Sequence, residues 1–145
     1  MKVLLVNGSP HEKGCTYTAL TEVAGALEKQ GVETEIFQLG TKPISGCLAC
    51  GSCRKTGKCF MNDTVNEFLE KAAAADGFIF GTPVHFASAS GALTSFMDRA
   101  FFAGLGSGLF SLKPAAAISS ARRGGTTATF DQVNKYFTIS SMPVV

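Results

Sequence analysis

The strongest constraint on the fold is an alternation, repeated along the whole chain, of short apolar runs with segments of helical periodicity. Residues 2–6, Lys-Val-Leu-Leu-Val, read as a short buried strand. After a loop, Leu20, Val23, Ala24 and Leu27 mark one face of a helix over about 16–30, stopped by Gly31. Residues 33–39 are β-rich and form a second expected strand, followed by a Gly-, Pro- and Cys-bearing insert at about 40–61. Asn62-Asp63-Thr64 supplies a helix cap ahead of Val65, Phe68, Leu69 and Ala72 at helical spacing. Residues 77–81 make a third strand, which Thr82-Pro83 is expected to stop. A helix over about 90–102, a Gly-rich connector at 104–108, a fourth strand at 115–119 and a last helix at about 126–137 follow. Pro143-Val144-Val145 reads as the first residues of a fifth strand, so an incomplete edge is expected.

Strand and helix in strict turn specify an α/β doubly wound parallel sheet with right-handed crossovers. No repeat or linker interrupts it, and 145 residues with 46% apolar content can bury one core, so 1–145 is read as one domain. In open parallel sheets ligands bind beyond the carboxyl ends of the strands, where strand order reverses. In the flavodoxin-like order 2-1-3-4-5 that point lies between strands 1 and 3. The loops at 7–16 and 82–90 are therefore the first to inspect, with 120–126 as a third wall.

Composition narrows the partners. Thirteen basic against eleven acidic residues, a net charge of +2, leave no basic face for nucleic acid. No apolar run approaches the ~20 residues of a membrane helix, and the N-terminal run is too short for a signal peptide. A cytoplasmic location is expected.

The loop Asn7-Gly8-Ser9-Pro10-His11-Glu12-Lys13-Gly14-Cys15-Thr16 leads into a helix, where amides and hydroxyls suit an anion such as a phosphate. It fits neither G-x-G-x-x-G nor G-x-x-x-x-G-K-[ST]. The plainer reading is a simple connector, with Cys15 a small buried residue at a helix start. The second loop, Pro83-Val84-His85-Phe86 and onward, sets apolar and aromatic groups beside exposed backbone, as a flat heterocycle needs, although Phe86 would also serve as a packing residue and His85 as a satisfied surface or core imidazole. Arg122-Arg123-Gly124-Gly125 is either a solvated turn or a guanidinium and free amides facing an electron-rich ring edge. Asp98-Arg99, at the end of an amphipathic helix, reads as a structural or inter-subunit ion pair.

Cysteine is the remaining signal. The chain has 5, an odd number, with no mark of secretion, which favours ligands or redox thiols over a disulfide framework. Cys47, Cys50, Cys53 and Cys59 follow C-x2-C-x2-C-x5-C, whose three-residue steps resemble a bacterial ferredoxin run. Zinc generally takes two C-x2-C pairs with a longer separation. A [4Fe-4S] cluster, a zinc ion and unligated or oxidised thiols all stay open on spacing alone.

Val6-Asn7-Gly8-Ser9-Pro10 with Gly14-Cys15-Thr16, Gly81-Thr82-Pro83-Val84-His85, Ser90-Gly91-Ala92-Leu93 with Phe96-Met97-Asp98-Arg99, and Arg123-Gly124-Gly125 together resemble the NADPH-dependent FMN reductase family. Within it, the cysteine block is most similar to that of the iron-sulfur flavoproteins. The resemblance implies that Ser9, Cys15 and Thr16 hold the FMN phosphate, with His11 where the family usually has arginine. It places Pro83, Val84, His85 and Phe86 along the isoalloxazine, His85 replacing a frequent tyrosine, and Arg123, Gly124 and Gly125 on its other side. It also implies a [4Fe-4S] cluster on Cys47, Cys50, Cys53 and Cys59, and a homodimer or homotetramer.

The expected function is an FMN-dependent oxidoreductase that accepts electrons from NAD(P)H. It passes them to the cluster, to a quinone, flavin or metal, or to a protein redox partner. Hydride transfer to a flavin requires no protein acid or base, so no side chain is assigned a catalytic role. The rival readings are a flavodoxin-like carrier without NAD(P)H activity and a thiol or metal sensor.

Overall fold

A computed structural model describes residues 1–145. Its elements are β1 (Lys2–Asn7), α1 (Cys15–Glu28), β2 (Glu33–Gln38), α2 (Cys53–Thr56), α3 (Thr64–Ala73), β3 (Gly77–His85), β4 (Ser88–Ala89), α4 (Gly91–Leu105), β5 (Ala115–Ser120) and α5 (Thr126–Ile139). β1 pairs in parallel with β2 and β3, and β3 pairs in parallel with β5. The expected order is thus observed, the fourth long strand being β5 because the two-residue β4 precedes it. At the far edge, Ala115 bridges Val144 in parallel: the Ala115 amide donates to Pro143 O (2.8 Å) and the Val145 amide to Ala115 O (3.0 Å). The fifth strand is present as this single bridge.

Alternation along β1 explains the two-sided core. Leu4 and Val6 face a large cluster with Phe68, Phe78, Phe80, Phe96, Phe101, Phe110 and Phe137, under α3, α4 and α5. Leu5 faces the other way onto Leu20 and Ala24 of α1, with Ile79 of β3 beside it. Burial on both faces is why the central strands read as near-continuous apolar runs.

Two boundaries depart from expectation. β3 does not stop at Thr82-Pro83 but runs to His85. Phe78 donates its amide towards β5, to Pro114 O, and amides alternate sides along a strand, so the missing amide of Pro83 falls on the β1 side. There β1 has already ended, its last pair with β3 being Asn7 with Gly81, and no ladder bond is lost. α4 likewise continues past Phe102 to Leu105, and its Gly104 lies under the Phe110 ring, where a Cβ would come to 2.5 Å from that side chain. No helix is long and apolar enough to cross a membrane.

Candidate flavin and cysteine sites

Three loops meet at the carboxyl ends of β1, β3 and β5. The Gly8 amide donates to Gly81 O at 2.8 Å, and Ser90 Oγ donates to Gly8 O at 2.9 Å. The loop after β1 is thereby tied both to β3 and to the start of α4. A further chain of bonds shapes it: the Ser9 amide donates to Asn7 Oδ1, Asn7 Nδ2 to Gln38 Oε1 (2.5 Å), and Gln38 Nε2 to Ser9 O (2.8 Å). Ser9 and Thr16 are buried, whereas His11 and Cys15 are exposed. The Ser9 Oγ accepts the His11 amide, which leaves its own proton free to donate. Cys15 is therefore not the buried helix-start residue of the plainer reading.

Helix starts differ in a telling way. Asp63 caps α3 by accepting the Val65 amide, and Ser90 caps α4 by accepting that of Leu93. α1 begins after Gly14 and α5 after Gly125 with no side-chain cap, and neither has an acidic residue in its first turn. Their first amides have no partner within the helix and carry positive dipole ends. Both open at the carboxyl edge of the sheet, where an anion or an electron-rich ring would be received.

Val84 pairs with Ala89 and His85 with Ser88, so β3 and β4 form a hairpin whose two-residue turn is Phe86-Ala87. Both turn residues are left-handed, at φ 50° and 60°, as a primed hairpin turn demands. Phe86 is fully exposed, which rules out the packing role considered from sequence. The hairpin rests on the third loop: a Cβ on Gly125 would lie 2.5 Å from Ala87 Cα and 3.0 Å from a Val84 methyl. Gln132 of α5 locks it there, its Oε1 accepting the Ser88 hydroxyl (2.9 Å) and the Ala89 amide (3.2 Å). Arg123 and Gly124 lie exposed in the turn just before Gly125.

The cysteine block is folded by left-handed residues at Ala49, Gly51 and Gly57, with the single turn of α2 between the last two. All four cysteines of the block, Cys47, Cys50, Cys53 and Cys59, line one small cavity together with Leu48, Phe60, Met61, Phe102 and Arg99. Ser52, through its hydroxyl and then its amide, holds the Cys50 thiol below its ordinary range. Burial, and then the charges of Cys47, Cys50 and Cys59, push the Cys53 thiol up.

Asp98 and Arg99 do not pair with each other. Asp98 accepts the Tyr136 hydroxyl at 2.5 Å, while Arg99 turns inward, its side chain fully buried, onto Asp63 (2.7 and 2.8 Å). The expected ion pair is therefore within this chain, and Arg99 belongs to the cysteine block. Asn66 joins it, bracketing Cys59 with two 2.8 Å bonds to the Cys59 amide and carbonyl. Arg99 was legible after all: it falls on the buried stripe of α4, with Phe96 and Ala100, where a charge needs a reason.

The model of the NADPH-dependent FMN reductase family matches residues 1–145. This chain belongs to that family. It is 38% identical over 149 residues to an iron-sulfur flavoprotein of Methanocaldococcus jannaschii, an alignment covering 100% of this chain and 76% of that protein. An iron-sulfur flavoprotein of Methanosarcina thermophila is 28% identical, with 100% and 77% covered. Among solved structures, an archaeal flavodoxin superposes with a TM-score of 0.69 at 16% identity over 100% of this chain and 78% of its own, which supports the flavodoxin-like fold. The family membership makes the protein an FMN-dependent oxidoreductase by type.

Proposed function

We propose that the protein accepts electrons from NAD(P)H on bound FMN and passes them to an iron-sulfur cluster on Cys47, Cys50, Cys53 and Cys59, or to a small acceptor such as a quinone, flavin or metal. The observation that carries the reading is the pair of uncapped helix starts, α1 and α5, opening on either side of the Phe86 hairpin at the switch point of the sheet. FMN, when bound, supplies the hydride-accepting ring and the capacity to release electrons singly.

The residues present fit that group. Ser9, Thr16, Cys15 and the first amides of α1 would receive the phosphate, with His11 at the rim. Pro83, Val84, His85 and Phe86 would lie along the ring, and the Gly124 and Gly125 amides with Arg123 would face its other edge. Phe86, held out by the hairpin, gives the open face an aromatic border against water. No side chain is required to move a proton.

The cysteine block fits a cluster by its donors: four thiols on one cavity, with a guanidinium against one sulfur. That the two compared relatives are named iron-sulfur flavoproteins supports the same reading. A redox protein or small molecule is the proposed partner. Self-association is proposed through the apolar groove where Phe102 and Leu105 of α4 face Ile139 of α5.

The test is the visible spectrum of protein purified without oxygen, with iron and acid-labile sulfide assayed on the same sample and NAD(P)H oxidation followed anaerobically. Flavin bands with about four irons per chain and rapid nicotinamide oxidation are expected. Bound flavin with negligible nicotinamide oxidation would make the protein a carrier, and no flavin would overturn the reading.

A further inference from the structure

We propose that Arg99 is the positioning residue of the cysteine block, fixing the Cys59 sulfur as its anchor and setting a permanent positive charge against it; the proposal rests on the cluster reading above. A fully buried arginine on the apolar stripe of α4 is costly unless its donors are met. Here one edge of the guanidinium meets the Asp63 carboxylate, Nη1 to Oδ2 at 2.7 Å and Nη2 to Oδ1 at 2.8 Å. The adjacent edge meets sulfur: Nε and Nη2 lie 3.4 and 3.3 Å from Cys59 Sγ. Nη2 also donates to Met61 O at 3.1 Å and Nη1 to Ser45 O at 3.4 Å, so the same group ties both flanks of the cysteine loop.

Two features argue that this is more than a structural ion pair. Asp63 and the carbonyls meet the two terminal nitrogens but give Nε no oxygen acceptor, and the Nε edge is given to a sulfur, a weak acceptor as a neutral thiol. And α3 holds both halves of the arrangement: Asp63 at its N-cap fixes the guanidinium, while Asn66, in its first turn, brackets the Cys59 backbone. Cys59 is thus set in position through its main chain and its sulfur at once. Cys47 and Cys50 are exposed, and their sulfurs have only local contacts, with the Ala49 amide and with Ser52. N–H donors and positive charge at a ligand sulfur favour the more reduced, more negative cluster and raise its reduction potential.

The test uses the full chain reconstituted anaerobically, comparing wild type, Arg99→Lys and Asp63→Asn. The readouts are iron and sulfide per chain, iron retention against a chelator, bound flavin, and the midpoint potential of the cluster followed by electron paramagnetic resonance. Arg99→Lys keeps a charge but not the two-edged fork. It should keep its flavin, lose iron to the chelator about 10- to 100-fold more readily, and hold what remains at a more negative potential. Iron retention and potential both equal to wild type would overturn the proposal while leaving the cluster reading intact. Wild type that takes up neither iron nor sulfide would overturn both. Should Arg99→Lys fail to fold by circular dichroism, Asp63→Asn decides, because an asparagine still caps α3 while the guanidinium loses its carboxylate. Its iron retention must drop several-fold, and unchanged retention counts against the proposal.

Discussion

The amide of Gly8 donates to the carbonyl of Gly81 at 2.8 Å, one residue beyond the last pair of β1 with β3, and nothing larger than a hydrogen fits beside that bond. A Cβ on Gly8 would lie 2.8 Å from Gly81 O and 3.0 Å from Leu93 Cβ. Gly8→Ala should therefore cost about 1–3 kcal/mol of overpacking strain and loosen the loop after β1. Urea unfolding, together with the flavin retained on gel filtration, checks it.

Gln132 is the one side chain of α5 that hydrogen-bonds to the β3–β4 hairpin. Gln132→Ala removes an acceptor from the Ser88 hydroxyl and the Ala89 amide and should cost about 1–2 kcal/mol. The hairpin should then exchange its amides faster than α5 does, which hydrogen exchange measures directly. Equal protection in the variant and the wild type would show that Gly125 packing alone holds the hairpin.

Ala87 sits at φ 60° in a turn that glycine would adopt without strain. Ala87→Gly should raise stability, by up to about 1 kcal/mol, with Phe86 kept in place. Phe86→Ala, by contrast, should leave stability within about 0.5 kcal/mol, because the ring is fully exposed, while weakening flavin retention. Thermal unfolding and fluorescence titration with FMN separate the two effects.

Glu35 lies between Lys2 (2.8 Å) and Lys71 (2.6 Å), joining β1, β2 and α3, and these bonds hold its carboxyl below the ordinary carboxylate value. A depressed carboxylate contributes stability that is fully present above the unfolded value, about pH 4.3, and is lost as pH falls through the lower folded value. The pair is partly exposed, so the contribution should stay below about 1 kcal/mol. Unfolding free energy followed from pH 6 to pH 3 should show wild type exceeding Glu35→Gln at the upper end and converging with it at the lower.

The parts of this fold that follow from periodicity were readable in the sequence, and the parts that depend on what a neighbouring strand fails to do were not. Val65, Phe68, Leu69 and Ala72 announced α3, and Asp63 its cap, because both signals are local. Pro83 argued for the end of a strand, and only the shortness of β1 on that side shows why it is tolerated. The meeting of the loops after β1, β3 and β5 is legible because strand alternation alone places the switch point. Asp98-Arg99 reads as an ion-pairing site, but the partners are not legible: adjacent charges on a helix point about 100° apart, so each finds its own, Tyr136 for Asp98 and Asp63 for Arg99. The cysteine spacing told which residues share a cavity. It was silent on Asn66 and Arg99, which reach Cys59 from 7 and 40 residues away.

The uncapped starts of α1 and α5 bear on the thermodynamics of the whole chain. A ligand that meets those amides binds the native state and not the unfolded one, so its binding free energy adds to folding stability as RT ln(1 + [L]/Kd). With flavin as that ligand, the melting temperature should rise with free flavin concentration. The open helix ends make stability a reading of occupancy.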